Sequence, residues 1–218
     1  MFNDISTPEE IIIDFGLDGY ETENIRAYGT QYTHISYPNA GEYALEGMPN
    51  LPLFSTLIAI PNEGNVHLEI ISEQQQIVED IIVSPRQALQ SESQPPRNDF
   101  IKADEYYSSG AVYPENSVVL GEPAILRDYR VVRLTINPFQ FDPLSRKMTI
   151  NTAIQVKVTT DREAGVNELH RRQLPSKAFS NIYEGTILNY SSIFRDVEYQ
   201  QPSCLYIYID QEQVLDYL

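Results

Sequence analysis

Side chains able to do acid–base, nucleophilic or metal chemistry are few in this sequence and scattered. The three histidines, His34, His67 and His170, stand far apart, and no HExxH, CxxC, phosphate-loop or GxSxG pattern joins them to a second reactive group. An imidazole works as base or ligand only with an orienting partner, so His34 and His67, each inside a strand-like run, read as packing or surface residues. Cys204 is the one cysteine and begins an apolar run with no histidine nearby. A thiolate nucleophile needs a base or cationic neighbour, so a structural role is the better reading. Asp14, Asp18, Glu21 and Glu23 crowd one stretch and could offer oxygens to calcium. They lack the alternating ligand loop with its glycine, and read as a solvated acidic face. The expectation is a chain with no catalytic set, no metal and no cofactor.

Composition narrows the partners. With a net charge of −16 and an isoelectric point near 4.4, the chain has no cationic surface to neutralise phosphates. Nucleic acid and anionic membranes are therefore excluded as expected partners. No run approaches the roughly 20 apolar residues needed to span a bilayer. Residues 1–17 lack a basic segment followed by a long apolar one, so the sequence is expected to begin after any signal peptide or to have none. A lone cysteine precludes an internal disulfide but leaves the compartment open. At 218 residues the chain can bury a substantial core, and its 14 prolines and 15 tyrosines suit short strands with irregular connections.

The elements that would position any site are strands. Residues 113–158 organise the chain: Val132, Leu134 and Ile136 share one parity on an up-strand, and Met148, Ile150, Ile154, Val156 and Val158 share one on a down-strand. Between them Pro138 and Pro143 forbid a continuous ladder, and Phe139 and Phe141 can pin the turn to a core. A meander of long antiparallel strands is expected. Before it, residues 10–15, 23–27, 30–37, 53–60, 66–71 and 77–83 read as strands, with 53–60 apolar on both parities and therefore central. Residues 72–76 read as the connection within the last pair. Residues 84–112 are polar and proline-containing, without a face to bury, and such long connections are usually functional or disordered. Residues 179–190 carry apolar positions at the spacing of a short helix, strained at Gly185. A polar linker over 191–203 precedes a strand signal at 204–209 and a helix signal from Gln211, the opening of an α/β unit.

An ordered set of motifs carries a resemblance. Gly47-x-Pro49-x-Leu51-Pro52, Ser84-Pro85, Tyr113-Pro114, Ile125-Leu126-Arg127-Asp128-x-Arg130 and Pro138-Phe139-Gln140-Phe141-Asp142-Pro143 resemble the propeptide of gingipain-type cysteine peptidases, peptidase family C25. Downstream, Glu163-Ala164-Gly165 and Phe179-x-x-Ile182-Tyr183 through Asn189-Tyr190 resemble the end of such a propeptide.

The resemblance implies an all-β, antiparallel, jelly-roll-like sandwich with a short C-terminal helix. It would form the prodomain over 1–190, with a linker and processing site over 191–203 and the truncated start of an α/β peptidase domain over 204–218. It further implies a non-catalytic, monomeric prodomain of an exported bacterial precursor, secreted or on the cell surface. Its partner would be the cognate cysteine peptidase downstream, which it would keep latent and help to fold. In such propeptides a basic residue of the long loop fills the specificity pocket. Here the corresponding position falls near Glu92, and Arg86, Arg97 and Lys102 are the basic alternatives. Arg195 is the expected processing site. A cell-surface adhesive or carbohydrate-binding sandwich, using tyrosines as stacking platforms, is the alternative reading.

Overall fold

The computed structural model describes residues 1–7, 10–89, 93, 99–170, 174–193 and 198–200. The strands follow as β1 (Phe2–Asp4), β2 (Ile11–Gly16), β3 (Glu21–Ala27), β4 (Thr30–Ser36), β5 (Gly41–Glu42), β6 (Pro52–Ala59) and β7 (Val66–Val78). After a one-turn helix α1 (Asp104–Tyr107) come β8 (Val118–Leu120), β9 (Ala124–Leu126), β10 (Tyr129–Ile136), β11 (Phe139–Asp142) and β12 (Lys147–Thr160). A 3₁₀ turn at Lys177–Phe179 leads into α2 (Ser180–Thr186) and α3 (Tyr190–Ile193). No helix among the described residues is long and apolar enough to cross a membrane.

Two antiparallel sheets face each other, as the alternating strands require. In the first, β7 runs along the whole of β12, whose other side is shared by β11 and then β2, with β1 beyond. In the second, β6 lies between β5 and β10, and β10 takes β8 and β9 on its far side. Ile11, Ile13 and Phe15 of β2 with Ile154, Val156 and Val158 of β12 meet Ile58, Val132, Leu134 and Ile136 of the opposite sheet. A second core, of Ile35, Val83, Phe139, Phe141, Met148 and Ile150, lies under the β3–β4 hairpin.

The up-strand and down-strand expected to neighbour each other lie instead in different sheets. Asn137-Pro138 ends the β10 ladder, and the chain crosses the sandwich before β11 pairs with β12 in a tight hairpin. A second difference concerns β7, which is one strand through residues 72–76. Those residues look like a loop because an exposed edge needs no apolar parity, yet Gln74 and Gln75 sit in the ladder and Gln75 Nε2 donates to Asn151 Oδ1 at 3.0 Å. The helical region is also broken: α2 stops at Thr186, Ile187 is extended, and α3 starts at Tyr190.

That break has a structural use. Ile187 forms a parallel bridge with Leu57, and Leu188 N donates to Leu57 O at 2.8 Å. Asn189 then serves both polar groups of Ala59, accepting from its N–H at 2.7 Å and donating to its carbonyl at 3.0 Å. Tyr183, Ile187 and Tyr190 thereby cover Tyr129 and Val131, which is why the first half of β10 is buried on both faces. The Asn189→Ala variant is expected to lose about 2 kcal/mol, because it orphans a donor and an acceptor in a dry site. Urea unfolding, with limited proteolysis of the C-terminal segment, checks this.

Candidate functional site

Both described ends of the long connection are built into the fold. Its first arm enters under the β3–β4 hairpin, where Ser84 N donates to Thr33 O at 2.9 Å and Asn50 N donates to Ser84 O at 2.8 Å. Arg86 N then donates to Met48 O at 2.7 Å, and Gly47 N donates back to Arg86 O at 2.8 Å. On the return, Ala103 N donates to Gly47 O at 2.9 Å. Both arms thus rest on one short saddle at residues 47–50. Gly47 has φ +80, and a Cβ there would stand 2.9 Å from Ala103 N, so only glycine allows the arms to close on it.

One further device joins the arms. The Gln87 carboxamide donates to Ile101 O at 2.9 Å and to Pro85 O at 3.0 Å, while its oxygen accepts from Ile101 N at 2.9 Å. Beyond the clasp the returning arm enters the second core. Tyr106 OH donates to Phe141 O and Tyr107 OH to Val83 O, each at 2.8 Å, and burial pushes both phenols well above their ordinary range. Tyr113 N and O pair with Phe141 at 3.0 and 2.8 Å, and burial pushes the Tyr113 phenol up to about 12. The expectation of a face-less loop over 84–112 is therefore corrected at both ends: Ser84 and Pro85 are buried at the start, and Tyr106 and Tyr107 supply a buried face on the return. The segment between the anchored arms is bounded by Gln87 and Ile101.

The charged candidates divide by this geometry. Arg86 lies at the saddle, ion-paired with Glu42 and 3.5 Å from Asn50 Oδ1, its side chain only 20% exposed. Lys102 sits just outside the clasp, 2.7 Å from Asp104 Oδ1 and 5.7 Å above the Tyr107 ring, and the Asp104 contact raises its pKa. Glu92 and Arg97 fall between Gln87 and Ile101 in sequence and lie outside the described residues. So do Arg195, Cys204 and all of 201–218. The flanks of Arg195 are described: Ser192 Oγ donates to Asp4 Oδ2, the Tyr199 hydroxyl stands 3.1 Å from that of Tyr190, and Gln200 N donates to Pro175 O at 2.9 Å.

Among the described residues, the three histidines remain apart. His34 Nδ1 stands 3.4 Å from Ser84 Oγ, His67 Nε2 stands 2.8 Å from Asp161 Oδ2, and His170 lies between Glu63 and Glu168 at 3.5 and 3.4 Å. Asp14 accepts from Gln155 at 2.8 Å and Asp18 from the Tyr37 hydroxyl at 2.7 Å. Among the described residues no group of three or more His, Cys, Asp or Glu is placed to hold a metal ion. The His67 contact, helped by the Asn65 amide, holds the Asp161 carboxyl down at about 2. A depressed carboxyl stabilises the fold above its unfolded value and loses that contribution as pH falls through the folded one, here between about 4 and 2. His67→Ala is expected to raise the Asp161 pKa toward the ordinary carboxylate range, read by carboxyl NMR titration.

Comparison with known proteins gives one family throughout. The family model Propeptide_C25 matches residues 5–197. Gingipain R1 of Porphyromonas gingivalis is 24% identical over 178 residues, covering 82% of this chain and 18% of the relative. Lys-gingipain of the same organism is 26% identical over 193 residues, covering 84% of this chain and 11% of the relative. The chain thus spans less than a fifth of the length of these relatives. A solved structure of the P. gingivalis RgpB pro- and mature domains in complex matches with TM-score 0.79 at 21% identity, covering 88% of this chain and 97% of that one. A structure addressing the zymogenic latency of P. gingivalis gingipain K matches with TM-score 0.62 at 19% identity, covering 75% and 93%. The sandwich fold is shared with both.

Proposed function

We propose that this chain, which belongs to the gingipain-type C25 propeptide family, keeps a downstream cysteine peptidase domain latent by laying residues 88–100 into its active-site cleft. As a propeptide it is the non-catalytic part of a peptidase precursor. The observation that carries the reading is the double attachment of the loop, whose two arms share the Gly47 saddle. A plug must enter a cleft without dragging its own scaffold apart, and two adjacent anchored ends meet that need. The sandwich surface supplies the rest of the binding area and assists the folding of the partner. Within the precursor the plug gains from effective concentration, so modest contacts hold the cleft closed.

The anchor for the specificity pocket is Glu92 or Arg97, the two earlier candidates lying between the clasp residues. If Glu92 fills the pocket, that pocket is cationic and the enzyme prefers acidic side chains; if Arg97 does, it is anionic and the enzyme prefers arginine. The prodomain occupies 1–190, processing falls at Arg195 in the linker 191–203, and 204–218 open the peptidase domain. The precursor is exported, and the released prodomain is a monomer. Sequencing the N-terminus of the mature enzyme checks the cut, and a terminus outside residues 192–204 sinks it. Titrating the separate chain into processed cognate peptidase tests the function: activity should fall to near zero at about one equivalent, and unchanged turnover in tenfold excess would refute inhibition.

A further inference from the structure

The β3–β4 hairpin is an odd part of the sandwich. It is a two-stranded sheet of its own, six of the seven residues of β3 are exposed, and it meets the body through Ile35, Tyr32 and the Thr33–Val83 bridge. A ribbon of two strands is marginal by itself, so packing elsewhere must justify its order. Its tip holds Tyr28 at φ +47, a left-handed conformation that costs a bulky residue energy, followed by Gly29 at φ +80. Tyr28 is 79% exposed, so core burial does not offset that strain.

What Tyr28 touches is the loop. The Phe100 ring lies 5.8 Å from that of Tyr28 and 5.3 Å from that of Tyr32, both tilted, on the residue just before Ile101. The returning arm is thus held twice in succession: at Phe100 by the hairpin aromatics and at Ile101 by Gln87, which ties it to the outgoing arm. Gln87 does no other evident work, since its three side-chain hydrogen bonds all end on the backbone of the two arms.

We infer that the β3–β4 hairpin is a mount for the loop, and that Gln87 and Tyr28 are positioning residues that fix how residues 88–100 are presented to the peptidase. The inference rests on the proposed role of that loop as the plug. A loop of 13 residues with free ends would lose much conformational freedom on entering a cleft. Closing its ends and fixing one arm spends that entropy during folding, so binding is tighter without any new contact to the partner. Gln87 and Tyr28 therefore act on affinity while touching nothing in the cleft.

The test uses the whole chain as inhibitor of processed cognate peptidase, comparing wild type, Gln87→Ala, Tyr28→Ser, Tyr28→Phe and a chain with residues 88–100 replaced by a glycine-serine linker. The Gln87→Ala and Tyr28→Ser variants are expected to raise Ki by about tenfold each, the scale of a few ordered side chains. Tyr28→Phe keeps the ring and should inhibit like wild type. The urea midpoint should stay unchanged for all three, and the Ile101 amide should exchange faster in Gln87→Ala. Wild-type inhibition by both Gln87→Ala and Tyr28→Ser, alongside lost inhibition by the linker chain, would overturn the mount and leave the plug standing. Full inhibition by the linker chain would overturn both. A raised Ki that comes with a lowered urea midpoint would also overturn the inference, by marking these residues as part of the fold's stability.

Discussion

Arg130→Met is expected to destabilise the sandwich by about 3 kcal/mol. Arg130 is wholly buried, and its guanidinium reaches from β10 to three carbonyls: Pro61 O at 3.0 Å, Gly64 O at 2.9 Å and Val166 O at 2.7 Å. These oxygens belong to two connections, the one after β6 and the one after β12, pressed so closely that a Cβ on Gly165 would stand 2.0 Å from Gly64 O. Glu168 accepts from Gly64 N at 2.9 Å and Gly165 N at 2.8 Å, closing the same knot from outside. Methionine fills most of the volume but donates nothing. Each buried acceptor left without a donor costs about 1–3 kcal/mol, reduced as the connections relax toward water. Arg130→Lys should recover only part of the loss, because one ammonium cannot span acceptors laid out for a planar fork. Urea unfolding measures both variants, and a loss below about 1 kcal/mol for Arg130→Met would contradict this account of the knot.

The Arg127-Asp128-x-Arg130 motif thus reads differently in three dimensions. It carried the family resemblance, and its residues serve the fold. Asp128 is buried and accepts from Tyr183 OH at 2.6 Å and from Ser176 N at 3.2 Å, while Arg127 lies 3.8 Å over the Phe179 ring. The β9–β10 turn therefore holds the C-terminal helices against the second sheet.

Strand parity was legible wherever one face meets the core, as at Val132, Leu134 and Ile136, because burial of one face forces alternation. It failed at residues 72–76, since an edge strand exposed on both faces has no apolar parity to display. Pairing was harder still. Two strands joined by a proline-bracketed turn can share a sheet or face each other across a sandwich, and alternation is the same in both; the crossing at Asn137-Pro138 is decided by packing. The position and length of the candidate site were visible as the break in periodicity after Val83. Its ordering was not, although Tyr106 and Tyr107, large side chains in a polar stretch, were a signal that the stretch is partly buried. Gly47 was readable as part of a motif but not as the saddle, because a close backbone approach leaves no pattern beyond the glycine itself. Nothing in the sequence marks Gln87: a side-chain amide bound to backbone 14 residues away has no periodicity and no characteristic neighbour.

Replacing residues 88–100 with a glycine-serine linker tests the plug most directly. The cut leaves Gln87, Ile101, Tyr106 and Tyr107 in place, so the saddle, the clasp and the second core keep their contacts. Of the described ring contacts it removes those of Phe100 with Tyr28 and Tyr32, so the urea midpoint of the chain should change little. Inhibition must be read between separate molecules, because in the precursor a millimolar effective concentration would hide the loss. With the wild-type chain as reference, Ki against processed cognate peptidase is expected to rise by at least about 100-fold, leaving the weak affinity of the sandwich surface alone. An unchanged Ki for the folded linker chain would contradict the assignment of this loop as the element that closes the active site.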